Sequence, residues 1–301
     1  MNGRKHIVVG LGELLWDVFP SGKQLGGAPA NFAYITNLLG DTGIPASRVG
    51  HDALGSEALH RLDHIGLSTN FVQQDRTHPT GTVNVRMNNG QHHFEIQENV
   101  AWDFLECTAE WRQLAGQADA VCFGSLAQRS SKSRASILSF LRAMRSEAVR
   151  VFDVNLRQNF YSREILDGSM KLANVVKLNH EELPKIARLF DMTACAEQEA
   201  ARVLLSSYGL KLICVTRGDG GSLLRSASEC NQHPGFKVKV ADTVGAGDAF
   251  TAALVHGYLR GISLAEINEN ANRVGAWVAS QSGGMPAPRN GSLRKALMEI
   301  G

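Results

Sequence analysis

The sequence predicts an α/β fold, a doubly wound, mostly parallel sheet flanked by helices. Three observations predict it. Short apolar runs of strand length alternate with helix-spaced segments in a βαβ-like rhythm. One stretch, Thr80 to Ile96, breaks that rhythm with two alternating runs around Asn88-Asn89-Gly90, a β-hairpin signal. The nonapeptide Asp242 to Phe250 (DTVGAGDAF) lies between an alternating run and a helical one, so it reads as a strand-to-helix turn. The 301 residues suffice for one large domain, with or without a small appendage. With no linker, internal repeat or low-complexity tract, a single domain over 1–301 is expected.

The elements follow in order. His6 to Leu11 (HIVVGL) is a buried strand, and Glu13 to Phe19 (ELLWDVF) alternates weakly. Ala28 to Leu39 is a helix with Pro29 in its first turn, where proline costs least. Arg48 to Asp52 is a strand and Gly55 to Leu67 a helix. After the hairpin, Ala120 to Phe123 is a strand and Ser136 to Arg145 a helix. Val149 to Val154, Val175 to Leu178 and Leu212 to Thr216 are further strands, and Ser222 to Arg225 follows a glycine loop, Arg217 to Gly221. Gly235 to Val240 (GFKVKV) alternates like a strand, Ala249 to Leu259 is helical, and Leu264 to Gln281 is a helix rich in small residues.

Composition removes several functions. Hydrophobic content is 44% and charged content 20%, ordinary for a water-soluble domain. Net charge is +2 without a basic tract, which argues against nucleic acid as partner. No apolar run approaches the roughly 20 residues of a membrane span. The N-terminal apolar stretch is broken by Glu13 and Asp17 and reads as a strand, not a signal peptide. Five cysteines show no CxxC pairing, and the ten histidines no HExxH. The expectation is a cytoplasmic protein with reduced thiols and no structural zinc. His92 and His93, in a polar alternating run, are expected to be solvated. Gly10-Leu11-Gly12 lacks the third glycine of a dinucleotide fingerprint, since position 15 is Leu15, and no GxxxxGK[ST] is present.

The chemistry concentrates at 245–248. Gly245 and Gly247 allow backbone conformations closed to bulkier residues. Successive amides there can converge at a helix N-terminus, which carries partial positive charge and binds anions. Asp248 then has two readings. It is the N-cap of its helix, or it is a base beside an anion hole. In the second reading it takes a hydroxyl proton while the amides of Gly245, Ala246 and Gly247 hold negative charge developing on a phosphoryl group. Gly26-Gly27-Ala28-Pro29-Ala30-Asn31 opens the helix at Ala28: its two glycines would admit a ligand close to the backbone and Asn31 supplies donor and acceptor, or the stretch is a glycine loop with a helix cap.

DTVGAGDAF resembles the C-terminal signature of the ribokinase-like (PfkB) carbohydrate kinases. GGAPAN resembles their N-terminal signature in the form common among fructokinases. The two lie more than 200 residues apart, as in that family, and the resemblance covers nearly the whole chain. It implies a ribokinase-like fold with a small β-lid over the sugar, formed by about 13–25 and 70–98, whose exposed face could pair two subunits, so a monomer or a homodimer through the lid. It implies ATP and Mg²⁺ as cofactors. On the sugar side it implies Asp17, Gly26, Gly27 and Asn31. Asp153 to Arg157 (DVNLR) resembles the DxNxR element of fructokinases and 2-keto-3-deoxygluconate kinases, which brings Arg157 to the substrate or the transferring phosphoryl group; otherwise Arg157 is a solvated loop residue. Asn179 and Glu182 match the family's NxxE, which organises the Mg²⁺–phosphate region largely through water; on its own, Asn179 reads as a helix cap. Thr216, Gly218 and Gly221 match the nucleotide loop, and Asn272 the position near adenine. Asp242, Val244, Val278, Gln281, Gly283 and Ala287 match a main-chain potassium site. Ribokinase has serine at the last of these, so potassium dependence is an open expectation.

The sequence thus reads as an ATP-dependent sugar kinase acting on a primary hydroxyl, with fructose the first substrate choice. Within the class, a 2-keto-3-deoxygluconate, ribose or nucleoside kinase is the alternative. Outside it, the alternative is a non-catalytic sugar- or nucleotide-binding protein, which loss of Asp248 or its flanking glycines would have favoured.

Overall fold

The computed structural model describes residues 4–20, 22–88, 91–192, 196–288 and 293–300. Asn89 and Gly90, on which the hairpin turn was placed, lie outside the described residues, as does Cys195. The described side chains exclude those of 85–88 and 91–94, so the expectation for His92 and His93 also falls outside.

The strands are β1 (Ile7–Leu11), β2 (Leu15–Phe19), β3 (Gly22–Gly26), β4 (Thr42–Gly50), β5 (Val72–Asp75), β6 (Gly81–Asn88), β7 (Gln91–Ile96), β8 (Ala120–Phe123), β9 (Val149–Asp153), β10 (Val175–Asn179), β11 (Leu212–Thr216), β12 (Ser222–Arg225) and β13 (Cys230–His233). The helices are α1 (Ala28–Leu38), α2 (Ala53–His64), α3 (Ala109–Gln117), α4 (Ser131–Ala143), α5 (Arg163–Leu172), α6 (Glu182–Leu189), α7 (Glu197–Ser207), α8 (Ala246–Leu259), α9 (Leu264–Ala279) and α10 (Leu293–Met298). A nine-stranded sheet runs β13-β12-β11-β10-β9-β8-β1-β4-β5. It is parallel from β11 to β5, and β12 and β13 add antiparallel strands at one edge.

Each central strand sends alternate residues to opposite faces, and both faces are apolar, which is why the strands read as continuous runs. Val9, Val121, Phe152, Val176 and Ile213 enter one core with α3 to α7. Val8, Cys122, Val151, Val175 and Cys214 enter the other with α1, α2, α8 and α9. The close seat of α1 on the sheet depends on Gly10: a β-carbon there would meet the Pro29 carbonyl oxygen at 2.0 Å.

The smaller sheet, β3-β2-β6-β7, pairs β2 with β6 in parallel and closes each edge with an antiparallel neighbour. It contains both stretches expected of the lid, with one difference. Val72–Asp75 pairs in parallel with β4 and extends the large sheet instead. The two polar residues Gln73 and Gln74 at that edge gave no sign of which sheet they would join.

Gly235–Val240 is not a strand. Its alternation is real: Phe236 and Val238 turn toward the core while Lys237 and Lys239 face solvent. The segment lies beyond the edge strand β13, so it keeps the two-sided partition without a ladder. The turn at 242–250 is therefore anchored differently, by the amides of Ala241 and Asp242, which donate to the Ala279 carbonyl at the end of α9 (2.9 and 3.2 Å). No helix among the described residues is long and apolar enough to cross a membrane. Cys107, Cys122, Cys214 and Cys230 are free thiols.

Candidate active site

The C-terminal ends of β1, β8, β9, β10 and β11 converge below the N-terminus of α8. Gly245 caps this helix in the left-handed conformation (φ 77°), and no side chain caps it. A β-carbon at Gly245 would meet Gly284 Cα at 2.4 Å, so the loop after α9 packs directly against the turn. The first helical bond runs from Ala249 N–H to the Gly245 carbonyl (2.8 Å), and Ala246 N–H closes on Thr243 at 3.3 Å. Among the described residues, the amides of Gly245, Gly247 and Asp248 have no acceptor. These are the unspent donors that make a helix N-terminus an anion site.

Asp248 is not the cap. It lies in the first turn of α8, and its Oδ2 accepts from Asn31 Nδ2 at 2.8 Å, across 217 residues of sequence. The two matched motifs thus meet at one hydrogen bond. Burial pushes the Asp248 carboxyl up to about 6, the nearby Asp153 charge adds to this, and Asn31, Lys177 and Arg157 pull the other way. A carboxyl of that strength is ionised at neutral pH yet basic enough to accept a proton.

Beneath the turn lies a buried ion pair. Lys177, in β10, donates to both oxygens of Asp153 (3.1 Å each), and the Thr251 hydroxyl donates to Asp153 Oδ2 at 2.9 Å. Burial opposes the lysine charge, but Asp153, Glu182 and Asp248 around it outweigh this and hold its pKa above the ordinary value. A β-carbon at Gly247 would sit 3.0 Å from Lys177 Nζ, which places the ammonium directly behind the helix entrance.

Asp17, on β2, leans over Gly26, whose β-carbon would meet its Oδ2 at 2.6 Å. Burial lifts its pKa to about 6, with Asp242 adding and Arg157 opposing. Gly27 (φ 110°) lets the chain pass the Glu13 carbonyl, 2.5 Å from where a β-carbon would be. Arg157 is exposed in the loop after β9, and its charge acts on Glu13, Asp17 and Asp248 together. Asn155 in the same loop takes a left-handed φ of 41°, a strained conformation of the kind that clusters at functional sites.

Asn179 and Glu182 lock the end of β10. Asn179 Oδ1 accepts from the amides of Glu181 and Glu182 (2.9 Å each). The Glu182 carboxylate accepts from Leu156 and Asn179 amides (2.8 Å each). Each Glu182 oxygen accepts one amide and keeps a second lone pair. In the loop after β11, Gly218 and Gly221 have φ of 60° and 80°, and Thr216 Oγ1 lies 3.5 Å from the Leu178 carbonyl. Asn272 is buried, and its amide donates to Ser222, to the Asn268 carbonyl and to Asn268 Oδ1. That commits its donor side to Ser222 and Asn268.

Of the six residues matched to potassium binding, Asp242 and Val244 precede α8, Val278 lies in the last turn of α9, and Gln281, Gly283 and Ala287 follow it. Asp242 accepts from Val244 and Gly283 amides (3.0 and 3.1 Å), and the Val278 carbonyl accepts from Gln281 N–H (2.9 Å). Ala287 is exposed. Among the described residues no group of three His, Cys, Asp or Glu side chains could hold a metal ion.

Two residues escaped the motif reading. Lys177 is a lone cation in an otherwise apolar strand, and Glu13 a lone acid after another. Each carried the same signal, since a charge in a buried strand demands a partner or a task.

Residues 11–290 match the pattern of the pfkB family carbohydrate kinases. The chain belongs to this family. It is a phosphotransferase acting on a sugar hydroxyl. The chain is 32% identical to the fructokinase of Escherichia coli over 300 residues, covering 92% of this chain and 94% of that one. The fructokinase of Xylella fastidiosa with bound ATP has the same fold, with TM-score 0.84 and 22% identity over 98% of each chain. So does aminoimidazole riboside kinase of Salmonella enterica, described with aminoimidazole riboside and an ATP analogue (TM-score 0.80, 24% identity, 97% and 99% covered).

Proposed function

We propose that this carbohydrate kinase transfers the γ-phosphoryl group of ATP to a primary hydroxyl of a neutral sugar, fructose first. The observation that carries the reading is Asp248: a carboxylate held by Asn31 at 2.8 Å, beside the unspent amides of α8. Asp248 takes the hydroxyl proton as the oxygen attacks phosphorus in line. The amides of Gly245 and Gly247 carry charge on the transferring group, with Ala246 completing the turn. Positioning and charge stabilisation do most of the work in such transfers.

The sugar lies between the small sheet and the turn, against Asp17, Gly26, Gly27 and Asn31, with Arg157 at its edge. ATP lies along 179–182, 216–221 and 242–248. Mg²⁺ would neutralise the phosphate oxygens, and Asn179 and Glu182 would hold it, largely through water, since magnesium tends to keep several of its waters. Potassium, where used, is bound by main-chain oxygens of 242–244 and 278–287.

Fructose is favoured by the 32% identity to the Escherichia coli fructokinase. Charge supports a neutral substrate. Glu13, Asp17 and Asp248 face the region with Arg157 as the cation acting on all three, which disfavours an acidic sugar such as 2-keto-3-deoxygluconate. Riboside kinases share the fold, so ribose and nucleosides belong in the test. The experiment is ADP release over fructose, ribose, 2-keto-3-deoxygluconate and nucleosides, with and without potassium. Fructose is expected to give the highest kcat/KM. Turnover on none of them would leave a binding protein and refute the kinase reading.

A further inference from the structure

Glu13 is a buried acid that the reaction above does not use. It is 4% exposed, and its Oε2 has no hydrogen-bond partner. An orphaned carboxyl oxygen in an interior is costly and calls for a reason. Glu13 lines a cavity of about 10 Å³ together with Asp248, Asp153, Asn155, Cys122 and Gly124. That is the room one water molecule needs. The cavity therefore connects the proposed base to a second carboxyl through a space suited to one water.

We propose that Glu13 is the second station for the reaction's proton, receiving it from Asp248 through a water in this cavity. The inference rests on Asp248 being the base. The step balances. The sugar O–H proton goes to Asp248 Oδ, the new O–P bond forms, and the bond from the γ-phosphorus to the ADP oxygen breaks with its electron pair leaving on ADP. Asp248 gives its proton to the water, and the water gives one to Glu13 Oε2. Asp248 is again a carboxylate, and Glu13 releases its proton to solvent in the next cycle.

The surroundings suit this transfer. Burial lifts the Glu13 carboxyl to about 7, its own amide and that of Ala28 pull it down, the Asp248 charge lifts it and Arg157 lowers it. Burial likewise lifts Asp248 to about 6, so both carboxyls can exchange a proton near neutral pH. The other charged groups around the cavity are Asp153, from β9, and its partner Lys177, from β10, paired at 3.1 Å; on Asp248 the Asp153 charge outweighs that of Lys177. Cys122, from β8, is held well above its ordinary pKa by burial and by the Asp153 and Asp248 charges, so it stays a thiol and takes no proton.

The test compares kcat, both KM values and the pH profile in wild type, Glu13→Gln and Glu13→Asp. Glu13→Gln is expected to lose about 10-fold or more in kcat with KM values little changed, because the glutamine fills the space but accepts no proton. The wild-type acid limb should contain two ionisations, belonging to the coupled pair; Glu13→Gln should retain one, and Glu13→Asp should keep two with part of the rate. Wild-type kcat in Glu13→Gln, or a limb unchanged by it, overturns the relay while leaving Asp248 as base. A purely structural Glu13 would raise KM or lower stability and leave the two ionisations in place, which also overturns it. Should Glu13→Gln not fold, the wild-type profile decides: an acid limb with a single ionisation refutes the relay. Absence of turnover in the wild type itself refutes the kinase reading and the relay together.

Discussion

Replacing Asp248 by Asn should abolish catalysis and strengthen the fold at the same time. The asparagine preserves shape, and its amide oxygen can accept from Asn31 Nδ2 as Oδ2 now does at 2.8 Å. It removes the charge. Protein atoms crowd that charge enough to lift the carboxyl from 3.8 to about 6. At about 1.4 kcal/mol per unit, this is a penalty on the order of 3 kcal/mol for keeping Asp248 ionised. Residual solvent contact at the residue screens part of it, leaving ~1–2 kcal/mol. The sign follows from linkage. A carboxyl whose pKa is raised on folding binds more protons folded than unfolded, so its cost is full above about pH 6 and vanishes below about pH 4. Asp248→Asn should therefore unfold ~2–6 °C higher than wild type at pH 8 and at the same temperature near pH 4. Turnover should fall by about 10²–10⁴-fold with no loss of ATP binding. Paired thermal scans and ADP-release assays at both pH values measure the two effects. A variant that is less stable at pH 8, or that turns over at near the wild-type rate, would refute the placing of an ionised base in this crowded position.

Three further outcomes follow from the same geometry. Gly247→Val places a β-carbon 3.0 Å from Lys177 Nζ, so kcat should drop at least about 10-fold while the protein remains folded by circular dichroism; an unchanged rate would show the helix entrance is not used. Lys177→Met leaves Asp153 buried without its cation and should destabilise by about 3–5 kcal/mol in urea, with the Asp153→Asn, Lys177→Met double variant recovering part of this. Asp41 accepts from the His6 amide, His256 and both terminal nitrogens of Arg260, which hold its carboxyl below the ordinary range despite burial. Its contribution is therefore complete above about pH 4 and lost on further acidification, so Asp41→Asn should cost about 1–3 kcal/mol at pH 7 and nothing extra in acid.

How much of this was legible in the sequence depends on what kind of information each feature uses. The central strands were legible because they are buried on both faces, so a run such as LICVT has one interpretation. Gly235–Val240 misled because alternation reports which side chains meet the core, as Phe236 and Val238 do, and is blind to whether a neighbouring strand exists. The lid bounds of about 70–98, implied by the resemblance, took in Val72–Asp75, whereas that strand pairs with β4. At the site, Asp248 and Asn31 were legible because each sits in a motif, but their hydrogen bond was not, since it joins residues 217 apart. Glu13 and Lys177 were visible only as charges in the wrong place. Their partners, Asp153 on β9 for Lys177 and the cavity shared with Asp248 on α8 for Glu13, come from other elements of the fold.

The charge distribution explains why the amides and the base must come together. Asp248 already stands at about 6 with Asp153 behind it. A phosphate arriving beside it adds negative charge and would lift it further, toward a neutral acid that can accept nothing. The unspent amides of Gly245 and Gly247, with the Lys177 ammonium behind Gly247, counter that charge at the point where it arrives. They thus hold the phosphoryl group and keep Asp248 ionised. This is why a glycine is needed at 247: the helix entrance, the lysine and the transferring group share a space that a β-carbon would enter. An Asp248 that were only a cap would spend those amides on itself, and the chain instead leaves them free and hands the carboxylate to Asn31.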